Sequence, residues 1–303
     1  MAARAIADPG IGAVTGDRLA QRSDRDLDAV PLWHRIGLAM ELWAPAAFLI
    51  ALLLACFVWP QIYTLPNPEH GQLTQPLLQP LSAGHVLGTD QLGNDILSRI
   101  LYGGRISIEV GLGTTGIGML IGGTLGATAA LYGGLYEIIA MRCLEILLSV
   151  PSLILAIIIA TYFGPSEIHV IWAISFFSIP AFARLTRANT LRLKERTFMS
   201  AARLSGSSNR QILLRHIVPN VVPAILTFAL LGIGVAIMLE AALSFLGLGV
   251  PPPAPSWGNM IAAGQVNLRA YPVLTLIPAA FLFATVLALN LLGDALRARW
   301  ATA

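Results

Sequence analysis

Few residues in this chain have the types and spacings that chemistry needs. Gly111, Gly113 and Gly116 match G-x-G-x-x-G, the spacing that lets a backbone approach a dinucleotide pyrophosphate. That chemistry requires a strand before the glycines and a βαβ unit around them. Here they sit inside Val110–Tyr136, an apolar run of 27 residues with no charge, which excludes a dinucleotide site. No G-x-x-x-x-G-K-[ST] phosphate loop exists, because Lys194, the only lysine, follows a leucine. His34, His70, His85, His169 and His216 are too dispersed for metal-ligand spacing, and no Ser/His/Asp arrangement can be built. Cys56 falls late in the first apolar run and Cys143 in a short polar connection at the other face, so the two are expected to stay unpaired. The expectation is a chain that catalyses nothing, holds no metal and binds no cofactor of its own.

Carboxylates inside apolar spans would mark proton or ion paths. Glu109 and Glu137 bracket the run from 110 to 136, and Glu145 precedes the next. Glu240 lies 20 residues beyond Asn220, about 30 Å along a helix. That places it at the outer interface rather than the midplane. A proton-coupled carrier, which needs a carboxylate near mid-bilayer, is disfavoured.

The elements that position these residues follow from composition. Of 303 residues, 56% are hydrophobic and 12% charged, with a mean hydropathy of +0.72. That is about half the charged share of a soluble domain, so the bilayer is the natural solvent. Apolar runs predict six spanning helices: Ala44–Trp59, Val110–Tyr136, Ile146–Ser166, Ile168–Ala183, Ile217–Leu239 and Ala270–Gly293. Gly164, Pro165 and Glu167 make a tight hairpin between the third and fourth. The net charge of +3 does not imply nucleic acid, since the cations lie between apolar runs rather than on one face. With the N-terminus inside, sixteen of the nineteen Arg and Lys fall in inner segments and three (Arg99, Arg105 and Arg269) in outer ones. Both termini are therefore expected in the cytoplasm. Residues 1–43 form a polar N-terminal tail without a cleavable signal, and 44–303 the membrane domain.

Three connections stand out. The outer loop 60–105 ends in a Gly/Asp-rich stretch. The inner loop 184–216 carries eight cations and reads as helical, broken once at Gly206. The outer loop 249–269 carries Pro251, Pro252, Pro253 and Pro255 within Gly249–Trp257, a stretch that cannot continue a helix and is expected to be stiff and extended. In the second span, Gly118, Gly122 and Gly126 recur every four residues, a spacing that lets helices pack closely in lipid.

The inner loop reads Ser200-Ala201-Ala202-Arg203-Leu204-Ser205-Gly206 and, nine residues later, His216-Ile217-Val218-Pro219. It resembles the cytoplasmic EAA loop of ABC importer permeases, with Ser200 where that family usually has Glu. Two short helices meeting at Gly206 would form a knuckle able to lie in a cleft of a cytoplasmic partner. The segment His85-Val86-Leu87-Gly88-Thr89-Asp90-Gln91-Leu92-Gly93-Asn94-Asp95-Ile96-Leu97-Ser98-Arg99 resembles the outer loop of C-type permease subunits of dipeptide and oligopeptide importers. Its one departure is Asn94 for Arg. Glu240-Ala241-Ala242-Leu243-Ser244-Phe245-Leu246-Gly247-Leu248-Gly249, then Pro255-Ser256-Trp257-Gly258, is similar to the same family. The likeness covers about residues 82 to 295.

The resemblance to the binding-protein-dependent transport system permeases implies an all-α polytopic membrane protein of the type I ABC importer class, in a bacterial cytoplasmic membrane. It implies a second homologous permease, two cytoplasmic ATPases that bind ATP and Mg, an external substrate-binding protein and a peptide cargo. Ser200, Ala201, Ala202, Arg203, Gly206, His216 and Pro219 would couple to the ATPases. Glu240, Ser244 and Phe245 lie where an outer gate would form, a cap facing water being the plain alternative for Glu240. His85, Gly88, Thr89, Asp90, Asp95, Arg99 and Trp257 would meet the binding protein or cover the entrance, or simply fold the loop. Nickel, glutathione and opine importers share this permease type; a secondary carrier or channel and a non-transporting scaffold are the remaining alternatives.

Overall fold

A computed structural model of the chain describes residues 32–82 and 84–301, and side chains from 41 to 300 apart from residue 83. The expected tail lies mostly outside the described residues. The chain divides into two units, Met1–Ala44 and Pro45–Ala303. Among the described residues the structure is helical, with two isolated bridges, Ser82 to His85 and Thr89 to Asp95.

The first helix begins at Leu32, and its span-length apolar part is α1 (Glu41–Ile62). Then follow α2 (Ile96–Tyr132), α3 (Gly134–Leu148), α4 (Ser152–Phe163), α5 (Glu167–Lys194), α6 (Thr197–Leu204), α7 (Asn209–Phe245), α8 (Trp257–Gln265) and α9 (Val273–Trp300). Among the described residues five helices are long and apolar enough to cross a membrane, and six spans result if the pair α3 and α4, bent by 77°, counts as one.

Several boundaries differ from the expected ones for identifiable reasons. α2 starts at Ile96 rather than Val110, because Asp95 caps it by accepting the Ser98 N–H at 2.8 Å. Arg105 and Glu109, one turn apart, pair at 2.9 Å, so two charges that resemble a loop are helical. Glu109 therefore lies within a helix instead of bracketing one. At 37 residues α2 is about 55 Å long, well beyond the ~30 Å hydrocarbon core. The third apolar run is broken, since Pro151 has no N–H to give and forces Val150 out of helical geometry. Cys143 is in helix α3 rather than a polar connection, exposed and unpaired, while Cys56 is buried. The region 249–269 contains α8, started by a mutual cap between Ser256 and Asn259. Residues 184–194 complete α5, so the basic connection begins at Glu195.

The glycine spacing in α2 faces α5. A Cβ on Gly118 would overlap the Ser178 hydroxyl, one on Gly122 the Ile179 carbonyl, and one on Gly126 the Ala183 carbonyl. The two backbones meet along three successive turns, as small-residue packing in lipid allows. Two π turns, Leu54–Val58 and Leu213–Ile217, end just before Pro60 and Pro219. Each inserts a residue where proline cannot donate to the turn behind it.

Candidate functional site

The family-like motifs fall at the two ends of the bundle. At the end formed by the start of α2 and the finish of α7, residues 71–82 fold against 85–94. Gln72 N–H reaches the Gly93 carbonyl at 3.1 Å, Leu77 that of Asp90 at 3.0 Å, and Leu81 that of Val86 at 3.0 Å. Each motif residue has a fixed task there. His85 Nδ1 lies 2.8 Å from Asp95 Oδ1, while Asp95 caps α2. Thr89 Oγ1 donates to the Gln75 carbonyl at 2.7 Å and accepts from Leu78 N–H at 2.9 Å. Asp90 Oδ1 accepts from the Leu92 and Asn94 amides at 2.8 and 2.9 Å. Asn94, where the family pattern has Arg, donates its side-chain amide to Asp90 Oδ2 at 2.8 Å. Arg99 donates to the Pro68 carbonyl at 2.7 Å and lies 3.5 Å from Asp90. Gly88, at φ +81°, leaves no room for a Cβ, which would overlap the Leu78 carbonyl. The loop is docked on α8 through Gln91 Nε2, which donates to the Ala263 carbonyl at 2.9 Å.

Behind this loop lies the Glu240 carboxylate. It is fully buried, which overturns the water-facing cap considered from sequence. Ser107 of α2 donates to Oε2 at 2.8 Å and Ser244, one turn on, donates to Oε1 at 2.6 Å. The Ser256 hydroxyl faces the same carboxylate. Ser244 Oγ accepts from Val250 N–H at 3.2 Å, and Gly249 packs so tightly on Ser244 that no Cβ fits. Phe245, in contrast, is exposed. Trp257 is fully buried; its Nε1–H donates to the Ile100 carbonyl at 3.1 Å, and its ring fills the space above Gly104. Glu240, Ser244 and Trp257 thus join α2, α7 and α8 in one bonded block. Sequence reasoning missed Ser107, which stands 133 residues from its partner. Ser256 carried a visible signal, as the first residue of Ser-x-x-Asn.

The Arg-rich end is built differently. α6 ends in a glycine turn: Gly206 N–H bonds the Arg203 carbonyl at 3.0 Å and Ser207 N–H the Ala202 carbonyl at 3.1 Å, with Gly206 at φ +79°. This is the double bond of a Schellman motif, which needs a left-handed residue at that position. Ser208 and Gln211 then cap the start of α7 reciprocally. Below the turn, Met199, Ile212, Ile217 and Val221 pack with Ala127 and Leu131. Lys194 Nζ clamps the assembly by donating to the Ala130 carbonyl at 2.6 Å, at the finish of α2. Glu137 of α3 accepts from Arg187 of α5 at 2.6 Å.

The tip itself is unspent. Ser200, Ala201, Arg203, Ser205 and Gly206 are exposed and Leu204 is 90% exposed. Nothing lies within 4 Å of where a Gly206 Cβ would stand. Arg196, Arg203, Arg210 and Arg215 form no ion pair among the described residues. His216 is half-buried, its ring 6.2 Å from that of Phe198, and Pro219 follows the π turn on the exposed side of α7. Ala202 is half-buried, on the side of the helix turned toward the apolar base.

Comparison with known proteins places these features. Residues 119–301 match the family described as binding-protein-dependent transport system inner membrane component. The glutathione transport system permease protein GsiD of Pectobacterium atrosepticum is 41% identical over 266 residues, covering 88% of each chain. GsiD of Escherichia coli O1:K1 is 41% identical over 269 residues, covering 88% of this chain and 87% of that protein. Among solved structures, inward-facing conformations of the MetNI methionine ABC transporter match with a TM-score of 0.54 at 17% identity, over 66% of this chain and 95% of that one. An amino acid ABC transporter with histidines matches with a TM-score of 0.51 at 20% identity, over 66% and 94%. The solved structures share the fold, and the sequence relatives carry the kinship through nearly the whole length. The chain belongs to the binding-protein-dependent transport system inner membrane components and is a multi-pass permease of an ABC importer.

Proposed function

We propose that this permease imports short peptides, glutathione among them, with both termini in the cytoplasm and the Arg-rich end facing the ATPases. One observation carries the coupling assignment: the α6–Gly206–α7 knuckle is packed at its base, while the hydrogen bonds at its tip all go to its own turn. A tip ordered by a Schellman turn and a capping box, with Leu204 and Arg203 projecting, suits docking in a partner's cleft. The cytoplasmic ATPases would bind ATP and Mg, and a closing stroke would push the knuckle. Because the knuckle joins α5 to α7, both would reorient, giving alternating access against a second permease. At the other end, Phe245 would form the face of the outer gate, with Glu240 and Ser244 bracing it from behind. The block from His85 to Arg99 and Trp257 would offer a firm seat for the external binding protein.

The peptide class rests on the 41% identical relatives, which are named for glutathione, a tripeptide. The test is uptake of labelled glutathione and a labelled dipeptide by cells with and without this chain, with ATP depletion and excess nickel as controls. Uptake that needs both the chain and ATP supports the reading. ATP-dependent uptake of nickel alone would replace the cargo and keep the permease.

A further inference from the structure

α3 is a short helix with a joint at each end. Before it, Gly133 and Gly134 are both left-handed, at φ +70° and +62°, and a Cβ on Gly134 would have nothing within 4 Å. Backbone conformation, not packing, calls for glycine there. After it, the chain bends by 77° through Ser149, Val150 and Pro151 into α4. Among the described residues Leu144 is the only one of its fifteen to be buried, while Leu135, Ile138, Ile139 and Ile146 stand exposed. Apolar packing within the chain therefore does little to fix where α3 lies.

Two side-chain bonds tie α3 to its neighbours among the described residues. The Tyr136 hydroxyl lies 3.1 Å from Thr128 Oγ1 of α2, an exposed contact between neutral groups. Glu137, the next residue, accepts from Nε and Nη2 of Arg187 on α5, each at 2.6 Å. Two N–H groups of one planar fork on a carboxylate oxygen make a short, charge-assisted contact that sets direction as well as distance. Glu137 is 18% exposed, so water weakens this pair less than it does Arg142 with Glu145 on the same helix, 77% and 47% exposed. Arg187 also stands close to the knuckle. It lies about two turns before Lys194, where α5 ends, and α6 begins at Thr197. The glycine seam already holds α2 on α5. α3, beyond the glycine joint, follows them only if it is pinned.

We infer that Glu137 and Arg187 are positioning residues for transport: their ion pair fastens α3 to α5, so that a displacement received at the knuckle is carried into the broken α3/α4 span instead of being absorbed at Gly133 and Gly134. The inference rests on the coupling reading of the Gly206 knuckle.

The experiment uses the assembled complex of both permeases and both ATPases in proteoliposomes, with the binding protein supplied. Glu137→Gln and Arg187→Gln are each expected to lower the glutathione or dipeptide imported per ATP hydrolysed about fivefold, with assembly and ATP hydrolysis kept. The exchange Glu137→Arg with Arg187→Glu should restore most of that ratio, which a loss of folded protein alone would not allow. Arg142→Gln, which breaks the exposed pair within α3, should leave the ratio unchanged. The tie itself is read by spin labels on Cys143 of α3 and on Ala188→Cys of α5, both exposed, Cys56 being buried. Wild type should give one narrow distance with and without ATP, and Glu137→Gln a broad one that ATP shifts. A wild-type distance that changes with ATP overturns the inference, as does a Glu137→Gln distance as narrow as wild type. Normal coupling by Glu137→Gln beside an impaired Gly206→Asp overturns the tie and keeps the knuckle. A wild-type complex that imports neither probe, with a narrow distance that Glu137→Gln broadens, overturns the cargo and keeps the tie.

Discussion

The two ends of this permease carry equally distinctive sequence motifs and use them in opposite ways. At the Glu240 end nearly every polar motif residue is consumed internally: His85 on Asp95, Asp95 on the start of α2, Arg99 on Pro68, Glu240 on Ser107 and Ser244, Trp257 on Ile100. At the Arg-rich end the base is packed, but the tip around Arg203 and Gly206 bonds to nothing except its own backbone turn. A motif whose side chains are spent is explained by folding. A motif whose side chains are ordered and idle requires something outside the chain. The first end is thus one bonded block, while the second leaves an ordered tip whose cations form no ion pair among the described residues.

Substitutions at the two ends should separate stability from coupling. The largest effect is expected at Gly206→Asp. The site is open and Asp tolerates a left-handed backbone at a cost of about 1 kcal/mol, so the chain should insert and express normally. Uptake should nevertheless drop about tenfold or more, as the knuckle loses its fit. Normal uptake by a well-expressed Gly206→Asp would falsify the docking role.

At the other end the readout is stability. Glu240→Ala removes the acceptor of two serine hydroxyls and opens a cavity, with an expected loss of about 3 kcal/mol measured by thermal unfolding in micelles. Glu240→Gln keeps shape and acceptor and should lose about 1 kcal/mol. Uptake per folded complex should hold far better than after Gly206→Asp; a selective collapse of uptake in stable Glu240→Gln would make Glu240 part of the gate itself. Asp95→Ala, which removes a helix cap and the partner of His85, should cost about 1–2 kcal/mol. Trp257→Phe leaves the Ile100 carbonyl without its donor and should cost about 1 kcal/mol.

How far sequence alone reached follows the range of the interactions. Close packing along α2 was readable because glycine every fourth residue is a local pattern, although that pattern did not say that α5 is the partner. The turn at Gly206 was readable because a left-handed glycine closing a short helix is also local, although the helix after it is not short but the start of the 37-residue α7. The first fourteen residues of α2 were hidden by counting Arg99, Arg105 and Glu109 as loop charges, although an i, i+4 pair makes two of them helical. The break between α3 and α4 was hidden by an apolar run long enough to span, despite Pro151 inside it. Glu240's surroundings could not be read, since the partner that buries it is on another helix. Local signals announced backbone shape; which polar group meets which was decided by packing at long range.

The smallest effect is the most discriminating. Arg203→Ala deletes an exposed cation with no ion pair among the described residues, so its stability should change by less than about 0.5 kcal/mol. If the tip only obeys the tendency of cytoplasmic loops to be basic, one arginine among sixteen inner cations changes nothing further. If it meets an acidic rim on the ATPases, the mutant should lose two- to threefold in uptake, and added salt should narrow its gap to wild type by screening the attraction in the latter. A mutant equal to wild type at every ionic strength would leave Leu204 and the Gly206 turn to carry the docking by shape. Because folding is untouched either way, this substitution tests the proposed docking at the Arg-rich end without disturbing the block at the other.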